Sequence, residues 1–234
     1  CPMRLTLMHK YILSLLAAVL VCGLTTLLVT IHNMERPLDS QMKENVTRAQ
    51  HEIAMLNEST LRRFATYAAL LADDSALAQA IMAGDSQKVR GLAKAAMKKT
   101  GADIVVVTDA KGIVVGRGHT ARLGDSILKQ DNVAKAVRGE AATAVVSGAE
   151  VAFTLRASYP VRHEGAVVGS LSVGISLVSP AYFDELKQLT GMDVTVFKDN
   201  MRAMSTIVKD GKRIVGTPLE SPEIVEAVLQ RGET

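Results

Sequence analysis

From Tyr11 to Ile31 the chain reads YILSLLAAVLVCGLTTLLVTI and carries no charged residue. At ~1.5 Å rise per residue, a helix over this run can cross a hydrocarbon core of roughly 30 Å. A membrane-spanning helix over 11–31 is therefore expected, and it divides the chain into what lies before it and what lies beyond. Arg4, His9 and Lys10 in front of the run also suit a secretory signal. The apolar core of such a signal is only about 7–15 residues long and ends at a small-x-small cleavage site. Here the run is longer and leads into Thr30-Ile31-His32-Asn33-Met34-Glu35, which offers no such site, so the helix is read as an uncleaved anchor. Arg4 and Lys10 precede it, whereas Glu35, Arg36, Asp39, Lys43 and Glu44 are mixed after it. The excess of positive charge in front keeps residues 1–10 in the cytoplasm and sends everything after His32 across the membrane. The opening Cys1-Pro2-Met3 reads as the edge of a fragment, with Met3 a natural start.

Beyond the membrane run, apolar Met42, Val46, Ala49, Ile53, Leu56, Phe64, Tyr67 and Leu71, with Thr60, recur every three or four residues. Lys43, Glu44, Arg48, Glu52, Glu58 and Arg62 fill the other faces, so an amphipathic helix of roughly 30 residues or more follows Pro37. Its near-3.5 spacing suits a dimerising stalk, and packing on its own domain is the simpler alternative. Asp73-Asp74-Ser75 and Asp85-Ser86 are placed as N-caps of two short helices, Ala76–Met82 and Gln87–Lys99, with Gly84 between them.

The stretch GADIVVVTD (101–109) returns as GMDVTVFKD (191–199). Leu123-Gly124-Asp125-Ser126-Ile127 and VAKAVRGE (133–140) return as Val215-Gly216-Thr217-Pro218-Leu219 and the 225–233 segment. An offset near 90 residues is too long for a solenoid repeat and suits a duplicated small domain. The first copy continues through Thr143–Ser147, Ala152–Val161 and Ala166–Leu177, with Glu164-Gly165 as a hairpin turn between the last two. It thus reads as strand, strand, short helix and three strands. The second copy stops at Gly232-Glu233-Thr234, and about 50 further residues are expected to complete it.

The composition narrows the function. A formal charge of +3 with 22% charged residues gives no reason to expect nucleic acid. With 48% apolar but 3% aromatic residues and no Trp, the core must be built from Ala, Val, Leu, Ile and Met. Cys1 and Cys22 lie outside 33–234, which rules out disulfides and thiolate metal sites in that region. No H-E-x-x-H, P-loop or G-x-S-x-G occurs, and Asp73-Asp74 is better explained by capping than by acid–base work. No enzyme activity, cofactor or metal is expected.

Arg156 stands in an apolar strand between Leu155 and Tyr159, where an unpaired guanidinium would be costly to bury. An anionic ligand is one solution and a carboxylate from Glu140 or Glu150 is the other. His119, in a Gly-rich turn, reads from its residues alone as a solvated loop histidine. Arg117 and Arg122 read as surface charges, and Arg162-His163 as a solvated hairpin tip.

Taken in order, VVVTDAKGIVVGRGH (105–119), RLGDS (122–126), LRASYPV (155–161) and VVGSLSVGISL (167–177) resemble the Cache superfamily of extracytoplasmic sensors. The 196–234 segment is similar to tandem Cache receptors, most of which are methyl-accepting chemotaxis proteins. The resemblance covers nearly everything after the membrane run. It implies an α+β fold: an N-terminal transmembrane helix (11–31), a long stalk helix with short helices (32–100), and a PAS-like antiparallel sheet module (101–178). A linker helix and a truncated second PAS-like module (179–234) would follow. It also implies a bacterial inner-membrane homodimer that binds a small anionic metabolite, such as a carboxylate, outside the cytoplasm and signals to chemotaxis proteins through an output domain absent from this chain. A histidine kinase or diguanylate cyclase output, or a non-sensing anchored stalk or adhesin, are the alternatives. The first module resembles the sensor domains of citrate and dicarboxylate receptor kinases. On that resemblance His119 takes the ligand histidine, Arg156 the strand arginine, Arg117 the second arginine and Ser172 the serine of the last strand. Thr108 sits near the end of the first strand. Ser158 stands where the family has a strand lysine, and the 112–119 loop is about two residues longer, which together count against citrate itself.

Overall fold

The structure, a computed structural model, describes residues 7–147 and 153–232. One helix, α1, runs from Leu7 to Ala72, so the helical pattern read after Pro37 has no break in front of it. The chain forms two units, Cys1–His51 and Glu52–Thr234. In the first, the side chains of Tyr11, Leu15, Val19, Leu20, Leu24 and Leu28 are exposed. The polar side chains within the run bond to their own helix: Ser14 Oγ donates to the Tyr11 carbonyl, Thr25 Oγ1 to that of Val21, and Thr30 Oγ1 to that of Thr26. Among the described residues no helix is long and apolar enough to cross a membrane. Of the expected 11–31 span, the side chains of Leu13 and Ile31 lie outside the described set.

In the second unit, α2 (Ser75–Met82) and α3 (Ser86–Thr100) start at the expected caps. The Asp74 carboxylate accepts from the Ala76 amide at 2.8 Å and that of Asp85 from the Lys88 amide at 2.9 Å. These bonds occupy amides that a helix start otherwise leaves unpaired. Five strands follow: β1 (Ile104–Asp109), β2 (Val114–Arg117), β3 (Ala142–Val146), β4 (Thr154–His163) and β5 (Ala166–Ser176), with helix α4 (Asp131–Val137) between β2 and β3. They form one antiparallel sheet in the order β2-β1-β5-β4-β3. The strand, strand, helix, three-strand succession read from the sequence is the one that forms. Glu164 and Gly165 turn the β4–β5 hairpin with φ of 48° and 85°, a conformation glycine adopts without steric cost.

Alternation along the strands gives the sheet two unlike faces. Val105, Val107, Ala157, Val161, Leu171 and Val173 face the helices and pack with Phe64 and Ala68 of α1, Leu77 of α2, and Val89 and Ala93 of α3. Each Val, Leu or Phe among them contributes about 1.5–3 kcal/mol when fully buried, so this layer fixes which face is left for other work. At Gly174 a Cβ would lie 1.9 Å from the Leu155 carbonyl, so the backbones of β4 and β5 meet too closely there for any other residue.

Helix α5 (Pro180–Thr190) leads to hairpins β6 (Thr195–Lys198) with β7 (Met201–Ser205) and β8 (Val208–Lys209) with β9 (Lys212–Arg213). Helix α6 (Pro222–Ile224) follows and continues as a π-turn over Val225–Gln230. Phe183 and Leu186 of α5 pack against Ile53 and Leu56 of α1, Ile175 of β5 and Val196 of β6.

Candidate ligand-binding site

The sheet face turned away from the helical layer is polar over β4 and β5 and carries an apolar patch of Ile104, Val106 and Val114 on β1 and β2. On β4 it carries Thr154, Arg156 and Ser158, on β5 Ser170, Ser172 and Ser176, on β1 Thr108 and on β2 Arg117, all of them buried. The register sets Ser158 opposite Ser172, Thr108 opposite Ser170 and Arg156 opposite Gly174, with Val106 paired to both Ser172 and Arg117. Hydroxyls meet across the strands, Thr108 Oγ1 to Ser170 Oγ at 2.7 Å and Ser158 Oγ to Ser172 Oγ at 2.6 Å. Helix α4 contributes Asn132, fully buried, whose Nδ2 donates to Ser158 Oγ at 2.7 Å.

The two arginines on this face are satisfied differently. Arg117 is 7% exposed, which overturns its reading as a surface charge. Its guanidinium donates twice to the Asp125 carboxylate, at 2.7 and 2.8 Å, and once to the Arg122 carbonyl at 2.9 Å. Those bonds hold the Asp125 carboxyl down from 3.8 to about 2, because the charged form is the one Arg117 stabilises. Arg122 itself is exposed, as expected.

Arg156 is 6% exposed and, among the described residues, has no carboxylate partner. Its Nε donates to Thr154 Oγ1 at 2.8 Å and one terminal nitrogen reaches Gln130 Oε1 at 3.4 Å. Of the two carboxylates considered as partners, Glu140 is exposed and makes no bond to it, and Glu150 lies outside the described residues. Burial, and then the neighbouring Arg117 charge, push the Arg156 pKa down to about 10, so it stays a cation at neutral pH. Arg117 and Asp125 offset one another and Arg156 leaves a net positive charge on the face, an arrangement that draws an anion.

Five of the six expected residues, Thr108, Arg117, Arg156, Ser158 and Ser172, share this face. His119 is half-buried two residues past the end of β2. The sequence reading missed Asn132, Ser170 and Gln130. The run Gly169-Ser170-Leu171-Ser172-Val173-Gly174-Ile175-Ser176 carried a usable signal, since its serines fall at every second place apart from Gly174. A separate cavity of about 60 Å³ lies on the helical side of the sheet, bordered by Leu71, Leu77, Leu92, Val107 and Leu171, with Asp74 and Lys99 also lining it. It holds none of the residues of the polar face.

The family described as a double sensory domain of two-component sensor kinase matches residues 44–233. The chain belongs to this double Cache family. The structure of the E. coli DcuS sensor domain is similar, at 23% identity and a TM-score of 0.50, covering 59% of this chain and 99% of that one. The sensor domain of the V. cholerae histidine kinase DctB is 14% identical with a TM-score of 0.56, covering 74% of this chain and 68% of that one. The periplasmic domain of Vibrio cholerae LuxQ is 16% identical with a TM-score of 0.51, covering 77% and 84%. No curated protein matches. These likenesses show an α+β Cache fold with a long helix and antiparallel sheets. The DcuS domain fits almost whole within three-fifths of this double Cache chain.

Proposed function

We propose that this double Cache region senses a small carboxylate outside the cytoplasm, on the polar sheet face of its first module, for a receptor anchored by residues 11–31. The observation that carries the reading is Arg156, a buried guanidinium with no carboxylate among the described residues. Breaking a buried ion pair is strongly unfavourable, so a cation buried alone is best explained by a partner that comes and goes. Ser158 and Ser172 supply hydroxyls near it, Thr108 lies farther along the same face, Arg117 adds positive potential, and His119 is assigned on the family resemblance. The uncharged 11–31 run supports the anchor. Its large apolar side chains point outward, and its Ser and Thr hydroxyls bond to their own helix, as a segment surrounded by lipid requires.

A ligand shifts an equilibrium only by its different affinities for the two states. Binding beside α4 would favour one arrangement of the sheet and α1, and a dimer of stalk helices would pass that preference across the membrane. The output is either a histidine kinase, which the family description favours, or a methyl-accepting chemotaxis protein, which the sequence resemblance favours. ATP-dependent autophosphorylation of the full-length receptor distinguishes them. For the sensing step, the purified chain in detergent is screened by thermal shift against carboxylates. A midpoint that rises with a carboxylate in the parent and not in Arg156→Ala supports the reading, and an equal rise in both rejects it.

A further inference from the structure

Asn132 is the second residue of α4 and is fully buried against the polar face. An asparagine at a helix start ordinarily caps it, but the position in front of α4 is Gln130 and makes no side-chain cap bond. Asn132 instead turns inward. Its Nδ2 donates to Ser158 Oγ at 2.7 Å, while its Oδ1 is buried and bonded to nothing among the described residues. Buried amide oxygens are nearly always paired, so this one calls for a donor from outside the protein. No hydroxyl nearby meets it: the Ser158 and Ser172 oxygens bond to each other, and Ser158 also accepts from Asn132. One hydrogen of that serine pair is left to point at a ligand. Arg156 stands two residues along the same face of β4, about 7 Å away by strand repeat, within reach of one small molecule.

The face thus offers two kinds of contact. Arg156 and the spare serine hydrogen are donors, suited to a carboxylate, and Asn132 Oδ1 is an acceptor. A plain carboxylate carries only acceptors and would leave that oxygen unmet. We propose that the ligand is a carboxylate bearing a hydroxyl or ammonium group, and that Asn132 is the residue that selects for that group. The inference rests on the anion-sensing reading above and narrows it. Sites that hydrogen-bond a substrate hydroxyl or amine discriminate strongly against analogues that lack it, because the protein group is then left unpaired.

The test uses two ligand sets of fixed skeleton, propionate, lactate and alanine, and succinate, malate and aspartate. Affinities for the full chain in detergent are measured by calorimetry. In the parent, the hydroxy or amino members of at least one set are expected to bind about tenfold or more tightly than the unsubstituted member. In Asn132→Leu that ratio falls to within about twofold, whatever the change in affinity for the unsubstituted acid. Asn132→Asp preserves the shape and the acceptor and adds charge, so it moves the preference toward the amino member and serves as the informative variant if the leucine protein does not fold. A parent with no preference, or a preference that survives both variants while Arg156→Ala abolishes binding, overturns the role of Asn132 and leaves the anion reading intact. If no member of either set binds, the anion reading fails and this inference falls with it.

Discussion

The two modules begin alike and then part. Helices α3 and α5 each end in a threonine and a left-handed glycine, Thr100-Gly101 and Thr190-Gly191, with glycine φ of 68° and 67°. In each, the threonine hydroxyl donates to the carbonyl four residues back at 2.8 Å and accepts from the amide two residues on. The turn after the first hairpin repeats as well. Val114 and Gly124 exchange bonds with Asp125 and Val114 as Arg202 and Gly216 do with Thr217 and Arg202, and the Ile127 amide meets Gly112 as Leu219 meets Asn200. The difference lies in the charges. In the first module Asp125 is spent on Arg117 and Arg156 stays buried without a carboxylate among the described residues. In the second, Thr217 stands where Asp125 stood, half-buried Arg213 is bound to Asp184 at 2.5 Å, and half-buried Arg202 donates to Thr217 and to the Pro218 carbonyl. A repeat can keep a backbone while, among the described residues, only the first copy buries a cation without a carboxylate, and such a cation is what an anion needs.

The largest expected effects test the packing beneath that contrast. Phe64→Ala and Phe183→Ala each empty a fully buried position and should cost about 3–5 kcal/mol in denaturant unfolding. Phe64→Ala, which removes the layer under the first sheet, is expected to abolish carboxylate binding. Phe183→Ala is expected to lower stability yet leave binding at the first module detectable. Equal loss of binding in both would break the assignment of the site to one module.

A smaller effect separates Asp125 from its counterpart. Asp125→Asn leaves the Arg117 guanidinium buried without its carboxylate and should cost about 1.5–3 kcal/mol, whereas Thr217→Val should stay within about 0.5 kcal/mol. The Asp125 pKa falls from 3.8 to about 2 on folding, so its contribution is complete above about pH 5 and disappears as the pH drops toward 2 and below. The stability gap between the parent and Asp125→Asn should close across that window. The smallest effects are those the repeat makes equal. Thr100→Val and Thr190→Val should each cost about 1 kcal/mol or less, and a large inequality would show that the shared turn is carried differently in the two copies.

Much of this was legible in the sequence, for definite physical reasons. Helix ends were announced by Asp74 and Asp85, hairpins by Glu164-Gly165, and strand faces by the alternation of Ser with Leu and Val. The repeat was visible because the turns need glycine at fixed places, as at 101 and 191. What stayed hidden were contacts that exist only once the loop or the sheet has folded. Nothing local says that Arg117 meets Asp125 rather than solvent, so it read as a surface charge. Asn132 was not singled out because its role depends on Ser158, which follows 26 residues later. The candidate site was reached by resemblance for Thr108, Ser158 and Ser172, and by strand burial alone only for Arg156.

The central claim is that the first module receives an anion at Arg156 and the second does not. Calorimetric titration of the full chain with malate and aspartate tests it most directly, comparing the parent with Arg156→Ala and Arg213→Ala. The account predicts binding in the parent and in Arg213→Ala, and a loss of about a hundredfold or more in Arg156→Ala, with that variant melting no lower than the parent because no ion pair is broken. Parent-like affinity in Arg156→Ala, or loss of binding only in Arg213→Ala, would contradict it.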